Sequence, residues 1–207
     1  HDEQRFCSDF FGKSPEAAFA PLYVSLFLNT APFMIYFGEE VAEKGMDHEG
    51  FSGQDGRTTI FDWWSIDSIR RLRKIIESGA YLSENPDNLV SNGMSREEAE
   101  FFIAFTDAVR FAARDEAIRK GTTYDLCYCN YGADGFDKDR HYVFLRDYKD
   151  HTVLVAANFS KSDALAKITI PDHAFEWMEI PITEDMYPGM SVDVNIPGGK
   201  GVKITLI

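Results

Sequence analysis

The sequence predicts an α+β protein, in which a partial (β/α)8 TIM-barrel end (the last helices and the last strand) precedes an all-β antiparallel sandwich. Residues 1–121 combine helical hydrophobic periodicity with one short, continuously apolar run at 33–37. From residue 122 onward the period changes from 3.6 to 2, in short runs separated by turn residues. The predicted domains are therefore 1–121, the end of a barrel, and 122–207, the sandwich.

The first predicted elements are a helix at 15–29 and a buried strand at 33–37. Ser14-Pro15 is a helix-start signal, because a hydroxyl caps the first turn and proline lacks only an N–H that would be unpaired there. Pro21 is expected to kink this helix or to split off its first turn. Continuous apolarity at 33–37 is typical of a strand covered on both faces in a parallel sheet.

A long polar segment follows the predicted strand. Residues 38–64 carry five glycines, and a loop of that length after a buried strand indicates a functional role. A short helix is predicted at 67–78, where Gly79 ends it. Residues 80–94 contain Asn85-Pro86 and Asn92-Gly93, which predict a loop.

The last barrel helix and the sandwich complete the prediction. Ser95 and Glu98 form a capping box, so a long helix is expected from there to about Lys120. Seven strands are then predicted at Tyr124–Asn130, His141–Asp147, Thr152–Phe159, Ala166–Ile170, Phe175–Ile180, Ser191–Ile196 and Val202–Ile207.

Composition narrows the classes of function. Lys and Arg total 21 against 34 Asp and Glu, a formal charge of −13, and such a surface repels phosphate backbones. We therefore expect no nucleic-acid partner. No apolar run reaches the length of about 18 residues that a membrane span needs, so no span is predicted. The odd cysteine count and the scattered histidines predict free thiols, with no metal site and no cofactor.

Five segments, in the same order along the chain, carry a resemblance to a known family. They are His1–Arg5, Ala31–Glu40, Gln54–Arg57 with Trp63 and Trp64 downstream, Arg114–Gly121, and Val153–Ser160. Together they resemble the α-amylase family of glycoside hydrolases, with the first segment similar to the end of barrel strand seven and the second to strand eight. The resemblance covers nearly the whole chain and implies a C-terminal fragment holding the end of the (β/α)8 barrel and the C-terminal β domain.

The resemblance implies retaining cleavage of the α-1,4-glucosidic bonds in starch-like oligosaccharides. That chemistry uses a carboxylate nucleophile and a carboxylic acid about 5 Å apart, while further polar groups hold the reacting sugar. By resemblance, Asp2 is the catalytic carboxylate that stabilises the transition state, and His1 binds the sugar hydroxyls. The family's nucleophile and acid motifs do not occur in this sequence. We therefore expect an intact parent enzyme that binds an α-glucan oligosaccharide, and an inactive chain on its own.

Two further residues are expected to bind substrate, Glu39 and Arg57. Glu39 and Glu40 either line the rim of the active site or support the loop that follows, and the sequence favours neither alternative. Arg57 either contacts sugar or orders the loop by pairing with Asp55.

Two other hypotheses stay open. The chain could be a non-catalytic carbohydrate-binding module, or an assembly module derived from the same fold. The fragment hypothesis also has a physical consequence, because a barrel strand without neighbours exposes its hydrogen-bonding edges. Self-association through exposed barrel edges is therefore a further expectation.

Overall fold

The computed structural model describes residues 4–45 and 66–207. It combines helices with antiparallel sheets, so the predicted α+β class is confirmed. The chain forms two compact units. Unit 1 contains the described residues up to Phe19 and from Met34 to Asp107, and unit 2 contains Ala20–Phe33 and Ala108–Ile207. The domain division expected at residue 121 stays a prediction.

The helices are α1 (Phe19–Phe27), α2 (Asp67–Glu77), α3 (Pro86–Ser91), α4 (Arg96–Arg114), α5 (Glu116–Lys120) and α6 (Asp172–Met178). Short 3-10 turns stand at Glu16–Ala18, Glu39–Val41, Ala80–Leu82 and Tyr128–Asn130. No helix within residues 4–45 and 66–207 is long and apolar enough to cross a membrane.

The first predicted helix has the expected break near its start. Ser14 Oγ accepts a hydrogen bond from the backbone N–H of Ala17 at 3.4 Å, which caps the first turn. That turn, Glu16–Ala18, is a separate 3-10 turn, and α1 begins at Phe19. Pro21 falls in the first turn of α1, where its missing N–H costs no hydrogen bond.

The capping box predicted for the long helix is confirmed. Glu98 N donates to Ser95 Oγ at 3.1 Å, and Ser95 N donates to Glu98 Oε2 at 2.8 Å. The helix does not run unbroken to Lys120, however. Asp115 has an extended backbone and caps α5 by accepting from Ile118 N at 3.1 Å, so one predicted helix becomes two.

Residues 80–94 are not a plain loop, because they contain a 3-10 turn and α3. Asn85 Oδ1 accepts from Asp87 N at 2.9 Å, and Pro86 occupies the first helical position. The Asn-Pro pair that indicated a turn therefore starts a helix, since the same two residues satisfy the preferences of an N-cap and of the first position.

The strand predicted at 33–37 forms no ladder. Residues 32–36 carry no regular secondary structure, and the side chains of Met34 and Ile35 are 83% and 44% exposed. A parallel strand needs hydrogen-bonded neighbours. No strand of the described residues pairs with this segment, so Met34 and Ile35 face solvent, while the rings of Tyr36 and Phe37 pack against Arg5.

Unit 2 contains two antiparallel sheets. The strands are β1 (Thr122–Asp125), β2 (His141–Tyr148), β3 (His151–Asn158), β4 (Ala164–Thr169), β5 (Ser191–Ile196) and β6 (Gly201–Thr205). One sheet has the order β1-β2-β3-β6, and β4 pairs with β5 in the other. Both sheets contribute buried side chains to one core, including Leu145 and Leu154 from the first and Ile168 and Val194 from the second. This shared core is typical of a sandwich.

Two of the predicted strands differ in the structure. Phe175–Ile180 lies mostly in α6, where Ala174, Phe175 and Met178 are buried at helical rather than alternating spacing. The strand predicted from Tyr124 to Asn130 ends at Asp125, whose side chain accepts from Cys127 N at 2.7 Å. This local bond turns the chain out of the ladder.

A histidine in unit 2 predicts a pH-dependent stability. His151 Nε2 lies 2.8 Å from Asp115 Oδ2, and Nδ1 lies 3.0 Å from the backbone oxygen of Ile207. Both ring nitrogens therefore face oxygen acceptors, which suits the doubly protonated ring. The hydrogen bond to Asp115 is the largest cause that raises the pKa of His151, and burial opposes it.

We expect unit 2 to lose stability as pH rises above the ordinary histidine pKa of about 6.5. The folded chain holds the His151 proton more tightly than the unfolded chain, so the extra stability is complete below that value and disappears as pH passes the raised pKa. Urea unfolding of wild type and His151→Gln, followed by circular dichroism from pH about 5.5 to 8.5, tests this. The wild-type advantage should shrink across the range, and a constant difference would contradict the prediction.

Candidate functional site

Of the predicted site residues, Glu39 lies within the described part of the chain. His1, Asp2 and Arg57 lie outside the described residues, so their catalytic and substrate-binding roles stay predictions. The geometry of the site is therefore given by the residues around Glu39 in unit 1.

The backbone before Glu39 is fixed by a glycine. Gly38 has φ of 90°, in the left-handed region that side chains disfavour. A Cβ there would also lie 3.0 Å from the Cβ of Glu43, so both conformation and space call for glycine. Gly38 N donates to Glu40 Oε2 at 3.0 Å, and Glu39 N donates to Tyr36 O at 3.0 Å. These bonds set the direction in which the Glu39 side chain leaves the turn.

Glu39 pairs with a buried arginine. Arg5 is 3% exposed, and its Nη1 donates to Glu39 Oε1 at 3.3 Å. The guanidinium carbon lies 4.7 Å from the centre of the Tyr36 ring and 5.3 Å from that of Phe37. A planar guanidinium suits both the carboxylate and the aromatic faces. The ion pair and the rings together hold Arg5 in one position.

The electrostatics of this cluster favour binding over nucleophilic chemistry. Burial raises the pKa of Glu39, while the positive charge and hydrogen bond of Arg5 oppose the shift. Burial also raises the pKa of Cys7 to about 12, with the Glu39 charge adding to the effect. Cys7 is therefore a neutral, unreactive thiol at neutral pH. Glu39 is a carboxyl group that can accept or share a hydrogen bond beside a fixed cation.

A charged cleft of about 470 Å³ lies in the same unit. Its lining residues are Pro15, Ala42, Glu43, Lys44, Ile66, Asp67, Ser68, Arg71, Ser95, Glu97 and Glu98. Within it, Arg71 Nη2 donates to Glu98 Oε1 at 2.5 Å, and Ser68 Oγ donates to Glu43. Over residues 4–45 and 66–207, no group of three or more His, Cys, Asp or Glu side chains could hold a metal ion.

Comparison with known proteins identifies the fold through structure alone. No protein-family model and no curated protein sequence matches the chain. A debranching enzyme from Nostoc punctiforme, soaked with acarbose, is 16% identical, with a TM-score of 0.50 over 99% of this chain and 32% of its own. Isomaltulose synthase from Erwinia rhapontici NX5 is 14% identical, with a TM-score of 0.50 over 99% of this chain and 41% of its own. AmyP in complex with maltose is 8% identical, with a TM-score of 0.51 over 93% of this chain and 34% of its own.

These three are enzymes of the α-amylase family. The chain has the α-amylase-type fold. It spans between 32% and 41% of the length of these three enzymes, and the helices followed by antiparallel sheets correspond to the C-terminal end of that fold. The resemblance carried by the five sequence segments is thereby confirmed for the fold.

Within the α-amylase-type fold, the structure adds one residue to the predicted site. Arg5 was not singled out, although it belongs to the same motif segment as His1 and Asp2. Its position three residues after Asp2 is the one sequence feature that points to Arg5 as a site residue. Nothing in the neighbouring sequence indicates that its partner lies 34 residues away. Glu40 Oε2 accepts a hydrogen bond from Gly38 N and so supports the turn at Gly38, while the two alternatives for Glu39 and Glu40 stay open. The substrate-binding role of Glu39 stays a prediction.

Proposed function

We propose that this chain is the C-terminal portion of an α-amylase-type retaining glycoside hydrolase acting on α-1,4-glucosidic bonds of starch-like oligosaccharides. The fold supports the family, and the segments His1–Arg5 and Ala31–Glu40 support the chemistry. The sugar complexes among the matched enzymes agree with a glucoside substrate, since AmyP was solved with maltose.

The Arg5–Glu39 ion pair is the observation that carries the proposal. By resemblance, Arg5 follows barrel strand seven and Glu39 follows strand eight. Side chains at the C-terminal ends of neighbouring barrel strands converge on one face, and enzyme sites in such barrels lie on that face. The 3.3 Å contact brings these two residues, 34 positions apart, to one place, as the resemblance implies, although 33–37 itself forms no strand ladder. The pair therefore supports an active-site rim at this place.

In the proposed reaction, the parent's nucleophilic carboxylate attacks the anomeric carbon as its acid protonates the departing oxygen. Water then displaces the enzyme from the sugar, with the same acid now serving as base. Asp2 and His1 hydrogen-bond the sugar hydroxyls and hold them more strongly as positive charge develops on the ring. Glu39, fixed by Arg5, and Arg57 bind the substrate beside them.

The isolated chain is proposed to be inactive. Removing a member of a catalytic constellation typically costs several powers of ten in rate, and both nucleophile and acid are absent from this sequence. The exposed Met34 and Ile35 further support self-association of the isolated chain, because their apolar side chains lack the cover that neighbouring barrel strands would give.

The test is reducing-sugar release from maltoheptaose by the longer parent protein, with and without Asp2→Asn, beside the 207-residue chain. We expect turnover by the parent, a loss of at least about 10³-fold in kcat for the variant, and none by the chain. Arg73→Gln, at an exposed residue that pairs with Glu77 and does not line the cleft, is a matched surface control.

Two results would contradict the proposal. An inert parent, or a parent unaffected by Asp2→Asn, would favour the binding or assembly hypothesis. Turnover by the chain alone would refute its proposed inactivity.

A further inference from the structure

One exposed face of α6 carries an aromatic group that the proposed reaction does not use. Ala174, Phe175 and Met178 point into the core, so His173, Glu176 and Trp177 share the opposite face. Trp177 is 72% exposed, an unusual state for the largest apolar side chain.

Two tyrosines lie against His173. Tyr124 belongs to β1, the edge strand of its sheet, and Tyr128 belongs to the 3-10 turn that follows. The two phenol oxygens lie 2.5 Å apart, and Tyr128 Oη lies 2.8 Å from His173 Nε2. Tyr124 Oη also contacts His173 Nδ1. The three polar tips therefore form a closed hydrogen-bonded ring at the surface.

Proton counting shows what this ring offers to a ligand. A neutral imidazole contributes one N–H and each phenol one O–H, so three protons serve the three contacts. Each phenol oxygen keeps a lone pair that the ring does not use. Burial and the hydrogen bond with Tyr128 raise the pKa of Tyr124, which keeps its phenol protonated at neutral pH. The ring thus presents acceptors to a ligand that carries hydrogen-bond donors.

We propose that Tyr124, Tyr128, His173 and Trp177, the aromatic platform, form a binding site for an α-glucan on the surface of unit 2. This inference rests on the proposed function for the identity of the sugar. The indole of Trp177 offers a flat apolar surface on which the C–H face of a glucose ring stacks, and the phenol oxygens accept from its hydroxyls.

Charge supports an uncharged ligand. The chain carries a formal charge of −13, and Glu176 stands on the platform's own helix face. Phosphorylated and other anionic ligands are therefore repelled. A sugar presents both apolar C–H groups and hydroxyl donors. The platform offers a surface for each, the exposed indole of Trp177 and the unused lone pairs of the two phenol oxygens. Glu176 adds a further acceptor for a hydroxyl at the same face.

The test is a titration of the 207-residue chain with maltoheptaose in an isothermal titration calorimeter. We expect saturable binding with Kd on the order of 1 mM, as a small contact area gives. Trp177→Ala should weaken it about tenfold, because an aromatic anchor is lost. Tyr128→Phe, which removes one hydroxyl and keeps the ring, should weaken it about threefold.

Leu165→Ala is the matched control, because Leu165 is 66% exposed on β4 and does not belong to the platform. It should leave Kd unchanged. Absence of saturation, an unaltered Kd in Trp177→Ala, or equally tight binding of cellohexaose would overturn the inference. The inference would also be overturned if a heptapeptide of lysine bound more tightly than maltoheptaose and lost that affinity in Trp177→Ala.

The outcome is separable from that of the proposed function. If the parent is inert but the chain binds maltoheptaose, and Trp177→Ala weakens that binding, the hydrolase proposal is refuted and the platform is supported. An active parent whose C-terminal chain binds no sugar would refute the platform alone.

Discussion

Replacing Arg146 by methionine is expected to lower the unfolding free energy of unit 2 by about 3–5 kcal/mol, because several buried backbone carbonyls lose their charged hydrogen-bond donor. Arg146 lies in β2 and is 1% exposed. Methionine fills much of the same space, so the loss comes from hydrogen bonds rather than from a large cavity.

The partners of Arg146 explain the size of the effect. Nη1 donates to Leu28 O at 3.1 Å, and Nη2 donates to Ala117 O at 3.1 Å and Ile118 O at 2.8 Å. These carbonyls stand at the C-terminal ends of α1 and α5, where backbone oxygens lack helical partners and the helix dipole is negative. Burial lowers the pKa of Arg146, yet a guanidinium stays charged. One cation therefore satisfies the ends of two helices.

Urea unfolding followed by circular dichroism measures the change, with hydrogen exchange of the β2 and β3 amides to locate it in unit 2. Arg146→Lys should fall between wild type and Arg146→Met, because an ammonium reaches fewer of the carbonyls. Arg119→Met, an exposed position on α5, should change the free energy by less than about 0.5 kcal/mol. An Arg146→Met variant as stable as the Arg119 control would show that the carbonyls find other partners.

The sequence predicts those elements whose determinants are local. Ser95 and Glu98 form their capping box within one turn, and the alternation in β5 reflects a strand with one buried face. The strands β2 and β3 are instead buried along nearly their whole length, which fits their apolar sequences. Arg146 shows the opposite case. It occupies an ordinary strand position, and its acceptors at Leu28 and Ile118 are 118 and 28 residues away. Nothing in the neighbouring sequence indicates them.

Competing local signals account for the errors. Phe175–Ile180 is apolar enough for a strand, but the burial of Phe175 and Met178 follows helical spacing. The run at 33–37 has the composition of a buried strand, yet a strand exists only where a neighbour supplies hydrogen bonds. Composition describes what a segment can become, and the available partners decide what forms.

The candidate site also contains one residue that local sequence indicates and one that only the tertiary fold reveals. Glu39 follows a glycine that the backbone requires, so the sequence indicates its place. Arg5 becomes significant only through Glu39, Tyr36 and Phe37, and that contact depends on the tertiary fold. A sequence therefore predicts the single residues of a site more readily than the long-range contacts that position their side chains.

The second large effect is expected from two glycines in one loop of unit 2. Gly132 and Gly135 both have positive φ, of 88° and 70°. A Cβ on Gly132 would meet no heavy atom within 4 Å, whereas a Cβ on Gly135 would lie 1.9 Å from Leu165 O. The obstacle is backbone, so no side-chain movement relieves it. The loop is tied to β4 by Lys167 N, which donates to Asp134 O at 2.9 Å.

Gly132→Ala should therefore cost about 1–2 kcal/mol, the strain of a left-handed alanine. Gly135→Ala adds overpacking to that strain and should cost about 3–5 kcal/mol. Urea unfolding of both variants isolates the steric contribution as their difference, because the conformational strain is similar in each. Equal losses would mean that the loop moves away from β4 at little cost. In that case Lys167, whose amide would lose its acceptor, should exchange its hydrogen faster in Gly135→Ala than in Gly132→Ala.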